Sequence, residues 1–148
     1  MQQIERRKLT PEHEQRIRVG IPKQVLMKMY NASAESVAEG YVQIAVPHQE
    51  SLVRKGGIFY GGVLSALADT AAYFSAASLH DADAYFLTVE LKINYLNPAI
   101  GEKVFATGEV VKNGKTLNIC KSDIYVVTGN ERKLACTSLV TLMQTKRK

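Results

Sequence analysis

At 148 residues with a formal net charge of +5, the chain is long enough for one domain with a real core and too short for two independent ones. Its 46% hydrophobic and 22% charged residues include no charge-free apolar stretch of bilayer length, which argues against a helical membrane protein. The start, Met1-Gln2-Gln3-Ile4-Glu5-Arg6-Arg7-Lys8, lacks the apolar segment of a signal peptide, so a cytoplasmic protein with no membrane partner is expected.

The positive charge is partly terminal, in Arg6-Arg7-Lys8 and Lys146-Arg147-Lys148, and is not interleaved with stacking aromatics. Nucleic acid is therefore not an expected partner, whereas a phosphate-bearing small molecule suits the balance. Cys120 and Cys136 fall in strand-like segments and read as reduced core residues. His13, His48 and His80 are too scattered for a metal site, and none is expected.

Residues 10 to 30 read as helical, because Thr10-Pro11-Glu12 sets a capping hydroxyl before a proline at the first helical position. Pro22 is expected to restart the helix, with Val25, Leu26, Met29 and Tyr30 of the second piece forming a packing face. Residues 1–34 are thus assigned to an N-terminal helical segment and 35–148 to the main domain. Tyr41 to Val46 has the alternation of a strand ended by Pro47, and a glycine-rich loop runs from Gln49 to Tyr60. Next comes the alanine-rich run Gly61 to Leu79, predicted to be the long helix.

Four strands are predicted after it: Tyr85 to Tyr95, Lys103 to Val111, Thr116 to Val127 and Lys133 to Met143. Asn97-Pro98-Ala99-Ile100-Gly101, the two-residue turn Asn113-Gly114, and Thr128-Gly129-Asn130 separate them. One strand, one apolar helix and four more strands make an α+β order in which an antiparallel sheet curls around the helix. Alanine on several sides of that helix lets other backbones approach closely, and a second copy of the chain is the simplest cover for what one sheet leaves bare.

Asp69 is the only carboxylate in the helical run, and no Lys or Arg occurs between Lys55 and Lys92. An unpaired charge is costly to bury, so Asp69 marks either a functional group at a water-reached seam or the helix's one polar stripe, shared with Ser65 and Tyr73. Gly61-Gly62 at the helix start offers free amides and a dipole that favour developing negative charge, as an oxyanion hole would, or simply a tight turn. Gly114-Lys115-Thr116 is not a phosphate loop: Gly108 and Gly114 are one residue too far apart and lie between strands.

The stretch Gly57-Ile58-Phe59-Tyr60-Gly61-Gly62-Val63-Leu64-Ser65-Ala66-Leu67-Ala68-Asp69-Thr70-Ala71 resembles the signature of hotdog-fold acyl-CoA thioesterases of the phenylacetate-pathway type, within the 4-hydroxybenzoyl-CoA thioesterase superfamily. Thr88 to Ala99 resembles that family's next strand and turn, and Lys112 to Thr116 its usual hairpin. The resemblance covers about residues 35 to 145 in order. It implies a five-stranded antiparallel sheet wrapped around the central helix, a homodimer with a joined sheet, and a dimer of dimers, the homotetramer. It further implies that Gly61 N–H polarises the thioester carbonyl, that Asp69 of the facing copy is base or nucleophile, that Thr88 assists, and that no cofactor is needed.

The chain departs from the family pattern at two places. Tyr60 stands where His is common before the double glycine, and Arg54 where Asn is usual. Tyr60 could donate through its phenol and Arg54 could meet a CoA phosphate, or the two are a core ring and a surface charge. Gly62 and Tyr73 complete the expected acyl-binding set, with Lys112, Lys115 and Lys103 as candidates for phosphate. The expected function is hydrolysis of an acyl-CoA thioester, the alternative a non-catalytic acyl-CoA binding protein on the same fold. A hotdog dehydratase is disfavoured, because neither His48 nor His80 is at the matching position.

Overall fold

The computed structural model describes residues 5–146, so Met1 to Ile4 and the basic residues at 147 and 148 lie outside it. The chain starts with helix α1 (Pro11–Lys23), whose Thr10 hydroxyl accepts from His13 N–H at 3.3 Å, the expected cap. Pro22 does not restart the helix. It is absorbed in the last turn of α1, and the break falls at Gln24, extended at φ −61°, ψ 128°, before the short α2 (Val25–Met29). The expected packing face of α2 is also revised: Met27 and Tyr30 enter the core, while Val25, Leu26 and Met29 are 77%, 43% and 66% exposed.

Strand β1 (Ser33–Ala38), absent from the sequence reading, follows and straddles the 34/35 division. Strand β2 (Tyr41–Pro47) returns beside it, and Gln49 to Tyr60 folds into one turn of 3-10 helix and a minimal hairpin, β3 (Val53–Arg54) and β4 (Ile58–Phe59). Gly56 and Gly57, at φ +92° and +73°, make the reversal between them, a conformation that side-chain-bearing residues rarely adopt. The long helix α3 (Gly61–Ala77) leads to β5 (Ala84–Tyr95), β6 (Lys103–Asn113), β7 (Leu117–Thr128) and β8 (Glu131–Lys146).

The main sheet has six strands, not five, in the order β1-β2-β6-β7-β8-β5, every neighbouring pair antiparallel. The antiparallel α+β architecture around one long helix is as expected; β1 is the additional strand. The hairpin at Asn113-Gly114 exists, but its loop is longer than two residues. Asn113 pairs with Asn118, Gly114 N–H donates to Leu117 C=O at 3.0 Å, and neither Asn113 nor Gly114 has the positive φ that the tight turn requires.

Helix α3 lies against one face of the sheet, burying Val63, Leu64, Leu67, Ala68 and Ala71 with inward residues of β2, β6 and β7 such as Ile44, Ala106 and Ile124, and Ala72 and Ala76 with Phe86, Cys120, Val140 and Leu142 of β5, β7 and β8. Burying a side chain such as Leu67 contributes about 1.5–3 kcal/mol relative to leaving it in water. The closest approach is at Gly108 on β6, where a Cβ would lie 2.1 Å from the Ala71 carbonyl oxygen. Only glycine allows that contact, and alanines at 71 and 72 let the helix backbone sink to it. What the sheet leaves half-exposed on α3 is a narrow stripe through Ser65, Asp69 and Tyr73. Among the described residues no helix is long and apolar enough to cross a membrane.

Two outcomes test this packing. Gly108→Ala should cost about 1–3 kcal/mol in urea denaturation, the range for forcing an extra group into a filled core, whereas Gly62→Ala, with open space at its Cβ position, should cost far less. Cys120 and Cys136 are fully buried, and burial pushes the Cys136 thiol up to about 11, so neither should react with Ellman's reagent near pH 8 until the protein unfolds.

Candidate active site

The candidate residues fall into two groups along the same helix. The first is in its middle, where the half-buried Asp69 carboxylate accepts a hydrogen bond from the Thr88 hydroxyl at 2.7 Å. Thr88 reaches it because β5 carries a bulge at Val89: residues 88 and 90 of β5 pair with the consecutive residues 142 and 141 of β8. The extra residue resets the alternation, so Thr88 before it and Leu91, Ile93 and Tyr95 after it all face the helix. Tyr73, one turn along from Asp69, is fixed by edge contacts with Phe74, Tyr85 and Phe86 at centroid distances of 5.3, 6.4 and 5.7 Å. A cleft of about 350 Å³ opens beside Asp69, lined by Thr70, Tyr73 and Tyr85 on one side and by α2 on the other.

The second group lies at the helix start. Phe59 N–H donates to Ala99 C=O at 2.9 Å and Tyr60 N–H to Leu52 C=O at 3.0 Å, which fixes the backbone entering α3. The Tyr60 carbonyl then takes both Val63 N–H and Leu64 N–H, at 3.0 and 3.1 Å. Gly61 and Gly62 are left at the first two helical positions, where an N–H has no acceptor four residues back and the helix dipole is positive. Tyr95 secures this end: its hydroxyl donates to Gly61 C=O at 2.8 Å, and its ring would be 3.3 Å from a Cβ at Gly61. Tyr60, Gly61, Leu64 and Tyr95, with Arg54 and Leu96, line a cleft of about 520 Å³.

The structure therefore groups Asp69 with Thr88 and Tyr73, and Gly61 with Gly62, Tyr60 and Arg54. It does not bring the two groups together within one copy, since eight residues of helix separate Gly61 from Asp69 by about 12 Å. Tyr60 is not a core ring: it is 47% exposed and makes no capping hydrogen bond with its side chain. Arg54 is exposed on the lip of the larger cleft. Lys112 and Lys115 are exposed at the β6–β7 hairpin, at the end of the sheet where β5 begins, while Lys103 is committed to Glu35 at 3.3 Å. Among the described residues no cluster of His, Cys, Asp and Glu could hold a metal ion.

Tyr95 was not singled out from the sequence. It lies 34 positions after Gly61, and only the final inward position of β5 beyond the bulge would have pointed to it.

Comparison with known proteins places the fold and the family. The family model described as the Thioesterase superfamily matches residues 56–132, from the glycine-rich hairpin through β7. A crystal structure of a thioesterase family protein from Silicibacter pomeroyi superposes with a TM-score of 0.86 at 32% identity, covering 91% of this chain and 99% of that one. A thioesterase from Haemophilus influenzae superposes with a TM-score of 0.80 over 95% of this chain and 94% of its own, and at 19% identity it supports the fold alone. A Saccharolobus solfataricus protein named "Putative esterase" is 33% identical over 68% of this chain, which spans 65% of that relative's length. The chain belongs to the thioesterase superfamily.

Tyr95→Phe should leave global stability within about 1.5 kcal/mol, the worth of one neutral hydrogen bond, while amide hydrogen exchange at Val63 and Leu64 accelerates. Unchanged exchange in that first turn would mean that the Tyr95 hydroxyl does not hold it.

Proposed function

We propose that this thioesterase-superfamily chain hydrolyses an acyl-CoA thioester to the free acid and CoA, working as a two-fold dimer with an equivalent reaction centre at each of two seams. The observation that carries the reading is the separation of the half-sites. Asp69 held by Thr88, and the unsatisfied amides of Gly61 and Gly62, are complementary in charge yet about 12 Å apart on one helix. A second copy related by a two-fold axis presents its helix start to the first copy's Asp69, and the reverse. The edge of β5, with Leu87, Val89 and Tyr95 exposed and no strand on its outer side, supports strand pairing between the copies.

In this reading the thioester carbonyl oxygen points at Gly61 N–H. Thr88 occupies one carboxylate oxygen of Asp69, and the other takes a proton from water as that water attacks the carbonyl carbon. The tetrahedral intermediate places its oxyanion on the helix-start amides. It collapses with loss of the CoA sulfur as thiolate, a far better leaving group than an alkoxide, which takes up the proton. The same carboxylate could instead attack directly, through an anhydride. Label in Asp69 after a single turnover in ¹⁸O-water establishes the anhydride opened at its aspartyl carbonyl; label in the released acid is common to direct water attack and to an anhydride opened at its acyl carbonyl, which trapping of the acyl-enzyme with hydroxylamine separates. Water is the only co-reactant, so we assign no cofactor. Arg54 at the mouth of the larger cleft, with Lys112 and Lys115, provides positive charge for the CoA phosphates. The joined pair further associating back to back as a dimer of dimers is part of the proposal.

Thiol release from a panel of acyl-CoAs should be lost in Asp69→Asn by two orders of magnitude or more and reduced less in Thr88→Val. Gly61→Pro removes the proposed donor where the backbone suits proline, since Gly61 is the first helical residue and Tyr60 before it is extended at ψ 138°. It should lower kcat by about 10²–10³. Because any Cβ there lies 3.3 Å from the Tyr95 ring, Gly61→Ala, which adds the Cβ and keeps the N–H, is the control and should lose far less. Co-refolding Asp69→Asn with Gly61→Pro should restore about a quarter of native activity, since half the random pairs are mixed and each mixed pair has one intact seam. No recovery, with both variants folded, would place the two residues in independent sites. Tight acyl-CoA binding without turnover by the native chain would favour the binding-protein reading, which the departures at Tyr60 and Arg54 motivate.

A further inference from the structure

The cleft beside Asp69 has a wall that the thioester chemistry does not use. Helix α2 is only five residues long, set off by the break at Gln24, and Met27 holds it to the core while Val25, Leu26 and Met29 stand in water. Exposing three large apolar side chains on so short a segment is unfavourable unless something covers them. Two of the three, Val25 and Leu26, line the 350 Å³ cleft. Across from them are Tyr73, Phe74 and Tyr85, and Asp69 and Thr70 close one end. The corner between α1 and α2 is pressed onto α3, since a Cβ at Gly20 would be 3.1 Å from the Phe74 ring, so the wall has a fixed distance from the floor.

We propose that this cleft receives the acyl group of the substrate and that Leu26, with Val25, determines how long an apolar acyl group is accepted. The proposal rests on Asp69 being the reacting carboxylate. From there the cleft extends one turn along α3, away from the helix start, between the Val25 and Leu26 side chains and the rings of Tyr73, Phe74 and Tyr85, with polar surface from Gln24, Asp69 and Thr70. Its volume is near the lower end of small-molecule sites, which run from about 300 to 1,000 Å³. In this assignment a medium-length apolar group extends from Asp69 to Leu26, and a two-carbon acyl group stops short of it.

The test uses Leu26→Cys, because Cys120 and Cys136 are fully buried and the new thiol alone should react with a maleimide among the described residues. A non-hydrolysable octyl thioether of CoA should slow labelling about tenfold, while the ethyl thioether, bound to the same extent by calorimetry, should leave the rate nearly unchanged. In the full-length Leu26→Trp protein, kcat/KM for octanoyl-CoA should fall about tenfold more than for acetyl-CoA. Native turnover combined with no octyl protection, or with an equal loss for both substrates in Leu26→Trp, would overturn this assignment and leave the hydrolase reading standing. Labelling that is slow without ligand and indifferent to it would mean that the second copy covers α2, also overturning it. If the native protein neither binds nor turns over any thioester of the panel, the hydrolase reading fails and this one with it.

Discussion

The contact between the Ala71 carbonyl and the bare Cα of Gly108 governs the rest of the molecule. With the helix backbone resting on β6, there is no room for long side chains around that contact, so the helix carries alanine there, at 68, 71, 72 and 76, and buries its larger Val63, Leu64 and Leu67 nearer its start. A helix held this low presents its remaining side as a shallow stripe, and Asp69 on that stripe is half-buried without having to enter the core. The carboxylate's position thus follows from packing two residues away from it.

Both ends of α3 are also tied down by groups from other elements. Tyr95 of β5 holds the Gly61 carbonyl at the start. At the far end the Arg16 guanidinium of α1 donates to the carbonyls of Ala77 and His80, at 3.4 and 2.7 Å, where a cation is favoured by the helix dipole. Fixing both ends limits sliding of the helix over the sheet, which matters because Asp69 and Gly61 are borne on the same rigid rod.

Much of this was legible in the sequence wherever the determinant is local. The Thr10-Pro11 cap, the alanine run and the alternation in β2 and β5 through β8 each specify their element through neighbouring residues. Strand β1 was hidden because Ser33-Ala34-Glu35-Ser36 has weak strand preference, and pairing with β2 imposes its conformation. Val25, Leu26 and Met29 were misread for a related reason: apolar spacing shows that a helix has a greasy side, not that the core is what meets it. Asp69 and the paired glycines stood out because their chemistry conflicts with their surroundings. Tyr95 did not, since its link to Gly61 depends on a one-residue slip at Val89 that no local pattern announces.

That slip has a consequence for solubility. The other edge strand, β1, carries a similar irregularity between Ala34 and Ser36, so both borders of the sheet change phase partway along. A regular strand arriving at either border can match the hydrogen-bonding groups on one side of the bulge but is out of step on the other. At the β1 border, which the proposed pairing through β5 leaves free, sheet extension is thereby confined to short segments, against the edge-to-edge pairing by which long, regular edges seed fibrous aggregates.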